Sequence, residues 1–372
     1  MLGPIVITGG GTGGHIFPMQ AIAEQLRSRG IDQGQIRFVG SRRGQESTLL
    51  SDGAIALTLL PGRGIRRSLA PTALVANVAA VAGLAAAVVV ALYRVGRWRP
   101  SVVVSVGGYA SFAVSLAAVA WRRPLVLVDL DAAPGAAHRV LGRFAARHCT
   151  AFPSNEVHSV LTGAPLRDAI VAIDRSTGAQ RALRAAQVPP IGPDRDVVVV
   201  MSGSLGARSV NRAASDLARL WADRGDRTLW HVTGRRDFDE VVAARPATAG
   251  LDYRIEPFAD MTVLWGLCDV AVCRAGATTV AELTALGIAA VLVPLPGAPG
   301  DHQTKNAQVV VRAGGARLLS DDQCRGAALA EVLDEMLAPT TRSAMSAAAA
   351  SLARRDAASA IARVVCEAGG LA

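Results

Sequence analysis

Nine short runs of β-branched and other apolar residues, interleaved with stretches rich in Ala and Leu, limit the fold of this chain more than any other feature. They are Ile5 to Ile7, Ile36 to Val39, Val102 to Val106 and Leu125 to Val128, then Val197 to Met201, Leu229 to Val232, Tyr253 to Ile255, Val270 to Cys273 and Ala289 to Val293. Strand runs alternating with helical ones predict βαβ units, and hence parallel sheets covered by helices. Composition agrees: 51% of residues are hydrophobic but only 4% aromatic, so the core must be built from Ala, Val and Leu. The rhythm restarts after a Gly/Pro break at Gly163-Ala164-Pro165. A chain of 372 residues suits two domains on a prior of roughly 100–200 residues each. The expectation is an α/β chain with doubly wound domains at 1–162 and 163–340. A second break, Ala338-Pro339-Thr340-Thr341, precedes a last helix from Ser343 to Val365, which by itself could join either half.

Four small-residue loops each follow a strand and open a helix: Gly9 to Gly14, Gly107 to Ser111, Ser202 to Arg208 and Arg274 to Thr279. Small side chains there let backbone N–H groups and a positive helix end approach a phosphate or sugar oxygen. The first loop also reads G-x-G-x-x-G, which raises the dinucleotide fold. That fold asks for Asp or Glu at the end of the second strand to hold the ribose, whereas this strand ends Val39-Gly40-Ser41-Arg42-Arg43. The arginines would suit a 2′-phosphate, but His15 and the loops of the second half go unexplained by a dinucleotide.

The formal charge is +9, carried almost wholly by arginine, with Lys305 the single lysine. This is either codon preference or a sign of an anionic partner, a phosphorylated substrate or a membrane surface; no nucleic-acid signature accompanies it. The five cysteines, Cys149, Cys268, Cys273, Cys324 and Cys366, form no C-x-x-C pair and fit a reducing compartment. Met1 leads into a strand with no basic leader, so no signal peptide is expected. From Leu69 to Tyr93 there is no charge, and Ala73 to Leu92 is long enough to cross a bilayer. A span there would cut the first sheet, however. The other readings are an ordinary buried helix, or a helix that touches a membrane face, flanked by Arg63, Arg66 and Arg67 before it and Arg94, Arg97, Trp98 and Arg99 after it.

The stretches "TGGGTGGHIFPMQAIAEQL", "VVSVGGYAS", "GSLGARSVN", "CRAGATTVAEL" and "DHQTKNA", in this order and across nearly the whole chain, resemble the MurG family. The resemblance implies a GT-B fold, two Rossmann-like domains facing a cleft, with the final helix returning to the first domain. It implies an inverting transfer of N-acetylglucosamine (GlcNAc) from UDP-GlcNAc to the C4 hydroxyl of MurNAc in undecaprenyl-linked lipid I, giving lipid II for peptidoglycan. The location implied is peripheral, on the cytoplasmic face of the plasma membrane. Implied partners are the two substrates, an anionic membrane surface and other cell-wall synthesis proteins.

Residue roles carry over from the same motifs. His15 would be the base for the acceptor hydroxyl, a use suited to an imidazole with an ordinary pKa of about 6.5. Donor contacts would come from Thr12, Gly13, Gly14 and Asp131 in the first half. In the second they would come from Arg167 and Ser204 near the phosphates, Phe258 at the uracil, Ala277, Thr278 and Thr279 at a helix N-terminus, Glu282 on the ribose hydroxyls and Gln303 on the transferred sugar. Gly13, Gly14, Gly107, Gly108 and Tyr109 would meet the acceptor diphosphate. Helix ends and Arg167 would stabilise the charge developing on UDP, so the scheme calls for no metal and no cofactor. Taken singly, Phe258 reads as a core side chain, Glu282 as a surface acid and Gln303 as a loop polar residue.

The chain departs from the family pattern in three places. It has Val128-Asp129-Leu130-Asp131 where His-Glu-Gln-Asn is usual, Ala164 in place of Asn, and Leu205 in place of Gln. Asp131, if ionised, cannot donate a hydrogen bond as an asparagine does. A related transferase with another acceptor, and a noncatalytic nucleotide-sugar binder, stay open beside the leading reading.

Overall fold

The computed structural model describes residues 3–11, 13–42, 44, 46, 50, 55–62, 71–203 and 206–371, with backbone alone for 71–79. It divides into two compact units, Met1–Arg167 with Arg354–Ala372, and Asp168–Ala353.

The first unit holds seven strands: β1 (Ile5–Thr8), β2 (Ile36–Ser41), β3 (Ala56–Leu60), β4 (Val102–Ser105), β5 (Leu125–Asp129), β6 (Arg147–Thr150) and β7 (Ser159–Leu161). Their order is β3-β2-β1-β4-β5-β6-β7, and every pairing is parallel. Central strands β1, β4 and β5 are buried along their whole length, as a sheet with helices on both faces requires. Helix α1 (Gly13–Ser28) and a C-terminal helix, Ala357–Gly369, pack together, the latter also on β4 and β5. Helices α2 (Pro71–Trp98) and α3 (Tyr109–Ala120) pack on each other, with Ala87, Ala91, Ala110, Ala113 and Ala117 buried together in the core with Val6, Val103 and Leu127. A seam of alanines lets two helices approach closely, which is how a core so poor in aromatics closes.

The second unit holds β8 (Asp196–Met201), β9 (Arg227–Val232), β10 (Asp252–Glu256), β11 (Val270–Cys273), β12 (Ala289–Leu292) and β13 (Ala316–Leu318), again all parallel, in the doubly wound order β10-β9-β8-β11-β12-β13. Its core joins Val198, Val200, Leu229, Val270 and Val291 of the sheet to Leu217 and Trp221 at one helix, and to Leu329, Leu333 and Met336 of another.

Four strands escaped the reading of the sequence. β6 and β13 carry arginine, β7 is three residues long and largely exposed, and β3 has only one buried residue. Edge strands are fixed by their neighbour's ladder more than by their own pattern. The expected single helix from Ser343 to Val365 is two, Pro339–Ala350 in the second unit and Ala357–Gly369 in the first. The intervening 351–356 has neither Gly nor Pro to signal the break.

A largely buried ion pair ties the second helix of the second unit, Thr177–Ala185, to the sheet. The Arg184 guanidinium donates to Asp269 Oδ2 at 2.6 Å and to the carbonyls of Arg195 and Leu267, while the same Asp269 oxygen accepts from Val197 N at 2.7 Å. Arg184→Met leaves the Asp269 carboxylate without its nearest cation. The expected loss is about 3 kcal/mol, read as a fall in the urea midpoint of the second unit; an unchanged midpoint would mean that the pair adds nothing to stability.

Candidate functional site: glycine loops at the strand ends

Parallel strands send every following loop to the same edge of their sheet. In the first unit this places the Gly9 loop after β1 beside the Gly107 loop after β4. Val106 N donates to Thr8 O at 2.8 Å, joining the two strand ends. Beyond it the loops touch through glycines. A Cβ on Gly108 would stand 2.5 Å from Gly10 O, and one on Gly107 3.3 Å from the His15 ring atoms Cδ2 and Nε2. Gly107 and Gly108 both have positive φ, 102° and 91°, a region that other residues enter at a cost. Only glycine fits both demands. His15 is thus held half-buried in the first turn of α1, its ring against Gly107, with Gly13 half-buried and Gly14 exposed beside it.

Glu46 is the hidden organiser of the first loop. It is fully buried, and its Oε1 accepts from Ser41 N at 2.8 Å and Gly11 N at 3.1 Å. A Cβ on Gly10, Gly40 or Gly44 would collide with its carboxylate. An internal anion therefore takes the Gly11 N–H, so that amide is not on offer to a bound phosphate. Tyr109 turns its hydroxyl against Gly62, where burial raises its pKa. What Tyr109 presents at the loop is its backbone at the start of α3. Arg167 lays its guanidinium over the Phe17 ring of α1 at 4.4 Å. Thr12 and Ser204, like Arg63, Arg66 and Arg67, lie outside the described residues.

Behind the Gly107 loop the ends of β4, β5 and β6 share a buried polar cluster. Asp129 Oδ1 accepts from His138 Nδ1 at 2.6 Å, its Oδ2 accepts from His148 Nε2, and His138 Nε2 lies 2.8 Å from Ser105 Oγ. Burial alone would raise the Asp129 pKa, but the hydrogen bonds and charges of the two histidines outweigh it and hold the carboxyl at about 2. Asp131, two residues on, is half-buried.

In the second unit, α7 (Arg208–Leu220) follows β8 and the Gly206 turn, and α10 (Ala277–Leu286) follows β11. Ala277, Thr278 and Thr279 form the first turn of α10 and are half-buried. Glu282, one turn further, is 8% exposed, and Trp265 Nε1 donates to its Oε2 at 2.8 Å. It is not a surface acid: the indole fixes the carboxylate within the unit. Phe258 is 62% exposed, so it is not a core side chain either; Arg235 stands 5.9 Å from its ring centre. Gln303 accepts from Leu295 N at 2.9 Å, linking helix α11 (His302–Arg312) to the loop after β12.

Arg274 and Asn306, which lie in the quoted motifs but received no role from them, join these loops. Arg274 donates to the carbonyls of Val293 and Pro294 and to Ser209 Oγ, and pairs with Asp321 at 2.7 Å. Buried Asn306 donates to Ala275 O at 3.1 Å. Neither carries a local signal, because each acts across distant strands.

The Gly206 turn has its own support. Asn211 Nδ2 donates to Thr233 O and Asp237 Oδ2, leaving Oδ1 to accept from His231 Nε2, all at 3.0 Å. His231 Nδ1 therefore accepts from Tyr253 OH, also at 3.0 Å, which fixes the neutral tautomer. Burial lowers the His231 pKa to about 4.

The sequence profile of the glycosyltransferase family 28 N-terminal domain matches residues 5–150, and that of the C-terminal domain matches residues 197–363. A UDP-N-acetylglucosamine–N-acetylmuramyl-(pentapeptide) pyrophosphoryl-undecaprenol N-acetylglucosamine transferase of Xylella fastidiosa (strain M12) is 37% identical over 367 residues, covering 98% of this chain and 96% of the relative. Its counterpart from Alkalilimnicola ehrlichii is 38% identical over 373 residues, 98% of each. Among solved structures, Acinetobacter baumannii MurG superposes with a TM-score of 0.76 at 26% identity, over 98% of this chain and 99% of that one.

Protonating His231 is disfavoured in the folded unit, so its contribution to stability is complete above the ordinary histidine pKa of 6.5 and lost as pH falls toward about 4. The loss expected over that window is on the order of 3 kcal/mol. Urea denaturation between about pH 7 and pH 4 should show it, and His231→Gln should flatten that part of the profile. Equal slopes in the two proteins would put the acid sensitivity elsewhere.

Proposed function

The chain belongs to glycosyltransferase family 28 and, within it, to the MurG enzymes, and from this premise we propose that it moves GlcNAc from UDP-GlcNAc to the C4 hydroxyl of MurNAc in lipid I, giving lipid II. The observation that carries the reading is the end-to-end match to named transferases, spanning both units at 37–38% identity. The reaction is a single displacement: the acceptor hydroxyl attacks C1 of GlcNAc from the face opposite UDP, the C1–O bond to UDP breaks, and the α donor becomes a β-1,4 product. The hydroxyl proton goes to a base, and the negative charge goes to the departing diphosphate.

In this reading His15 takes the proton, and the placement of its ring against Gly107 supports that role by fixing the imidazole at the loop edge. Glu282 receives the ribose hydroxyls, with Trp265 holding the carboxylate in one orientation. Exposed Phe258 offers a ring face to uracil. The first turn of α10 and Arg167 meet the diphosphate, where oriented N–H groups and a guanidinium stabilise charge as it develops. Gln303 contacts the transferred sugar, its amide held by Leu295. Gly107, Gly108 and the Tyr109 backbone serve the acceptor diphosphate. Thr12 and Ser204 keep the donor roles that the motifs give them.

We assign the chain to the cytoplasmic face of the plasma membrane as a peripheral protein. Helix α2 supports this by its two faces. Ala80, Ala87, Ala91 and Val95 are buried in the first unit, whereas Val89 and Tyr93 are 66% exposed. The stretch Ala80–Trp98 is long and apolar enough to cross a membrane, but a helix whose inner face belongs to a folded core is better suited to lie on lipid. Arg94 and Arg37 crowd the Trp98 ring at its end, the pairing of aromatic and cation that favours an anionic interface.

UDP release from UDP-GlcNAc should depend on a soluble lipid I analogue and yield a disaccharide; analogue-independent release, or none, would send the acceptor reading elsewhere. His15→Ala should lower kcat by roughly 10²–10⁴-fold with the affinity for UDP-GlcNAc unchanged. A kcat within twofold of wild type would remove His15 as base. Removing Arg66, Arg67, Arg94 and Arg97 together should weaken binding to anionic vesicles at low salt, and unchanged binding would refute the docking face.

A further inference from the structure

The cluster of Ser105, Asp129, His138 and His148 is used by nothing in the reaction described above. All four side chains are buried, Ser105 and His148 completely. Their order is a relay. The carboxylate can only accept, so His138 gives it Nδ1–H, and the opposite nitrogen, Nε2, faces Ser105 Oγ at 2.8 Å. Serine hydrolases arrange the same three groups around a nucleophile, but a fully buried Ser105 meets no substrate. The relay must act on the protein itself.

What it joins is specific. Ser105 is the last residue of β4, and the next four are Val106, Gly107, Gly108 and Tyr109. Asp129 is the last residue of β5 and leads into Leu130 and Asp131. His138 sits on the short helix Ala136–Leu141 that follows, so one imidazole ties both strand ends and the helix after them. His148 grips the other carboxylate oxygen from β6, which pairs with β5 and β7 and not with β4. It supports the charge of Asp129 without reaching either loop.

We propose that His138 is a positioning residue: by joining Asp129 to Ser105 it sets the Gly107–Tyr109 segment for a diphosphate-linked lipid acceptor. The inference rests on the acceptor reading of the Gly107 loop. It also gives a partner set to the acid that the chain keeps at Asp129, between the buried Val128 and Leu130 of the departure at 128–131.

The test compares Ser105→Ala, which cuts the relay at β4, with His148→Gln, which perturbs the same carboxylate away from the loops. Each is measured for the KM of a soluble lipid I analogue, the KM of UDP-GlcNAc, kcat, Tm, and amide hydrogen exchange by mass spectrometry. Ser105→Ala should raise the analogue KM about tenfold, as for one buried hydrogen bond, with kcat and donor KM within twofold. Exchange should quicken in peptides covering Gly107–Ala110 and stay unchanged at Leu130–Asp131, where both histidines still hold Asp129, and around Gly276–Glu282. His148→Gln should lower Tm and leave the analogue KM at the wild-type value.

If both variants lose Tm alike and neither shifts the analogue KM, the cluster is merely structural and the proposal falls. It falls equally if donor and acceptor KM rise together in Ser105→Ala. Bound zinc at one equivalent, lost in His148→Gln, would make the cluster a metal centre instead and overturn the relay. Failure of the wild-type protein to use the analogue would overturn the acceptor reading; the exchange pattern, which needs no substrate, then decides the positioning claim alone.

Discussion

Parallel pairing is the constraint from which the rest of this molecule follows. Because every strand in each sheet runs the same way, the loops that leave the strands gather at one edge, and residues far apart in sequence become neighbours without further design. In the first unit the outcome is a backbone-to-backbone contact, Gly108 on Gly10, with the His15 ring on Gly107. A Cβ at either place would separate the loops. The glycines are thus spent on closeness as much as on turning, and that closeness puts an imidazole where two strand-end loops meet.

Loops drawn together in this way need internal partners for their polar groups, since an unpaired buried group costs about as much as a lost hydrogen bond. Each unit answers with buried side chains rooted elsewhere. Glu46 takes the amides of Ser41 and Gly11, Arg274 gathers two carbonyls and a hydroxyl, and Asn211 with His231 fixes the turn at Gly206. These residues touch no substrate in the proposed scheme. They decide where the residues that do so stand.

The division between what the sequence disclosed and what it hid follows the same line. Continuous apolar runs such as Val102 to Val106 announce buried central strands, and small residues at their ends announce the loops. Glu282 was singled out through its motif, yet its burial and its indole partner were not legible, because Trp265 lies 17 positions away on another helix. Glu46 falls in a polar stretch without periodicity, and Asp129, His138 and His148 read as unrelated histidines near an acid until β5 and β6 pair. Local pattern reveals elements. Networks closed by tertiary pairing have no local pattern to reveal them.

The stretch from Val128 to Asp131 shows how such a network changes the meaning of a departure from a family's usual residues. Read along the chain, the loss of His-Glu-Gln-Asn looks like the loss of an acceptor contact and the gain of an awkward charge at Asp131. In the fold, Val128 and Leu130 are buried and the acid between them, Asp129, is satisfied by two imidazoles, while Asp131 two residues on stays half-buried. His138 and His148 supply what a buried carboxylate requires, and without them Asp129 would be an uncompensated charge in an apolar setting. The acid and its two histidines therefore make sense only as a set. The acid at the end of β5 is thus intelligible only with the two histidines that the fold brings to it, and the segment it leads into leaves the sheet at the same edge as the other strand-end loops.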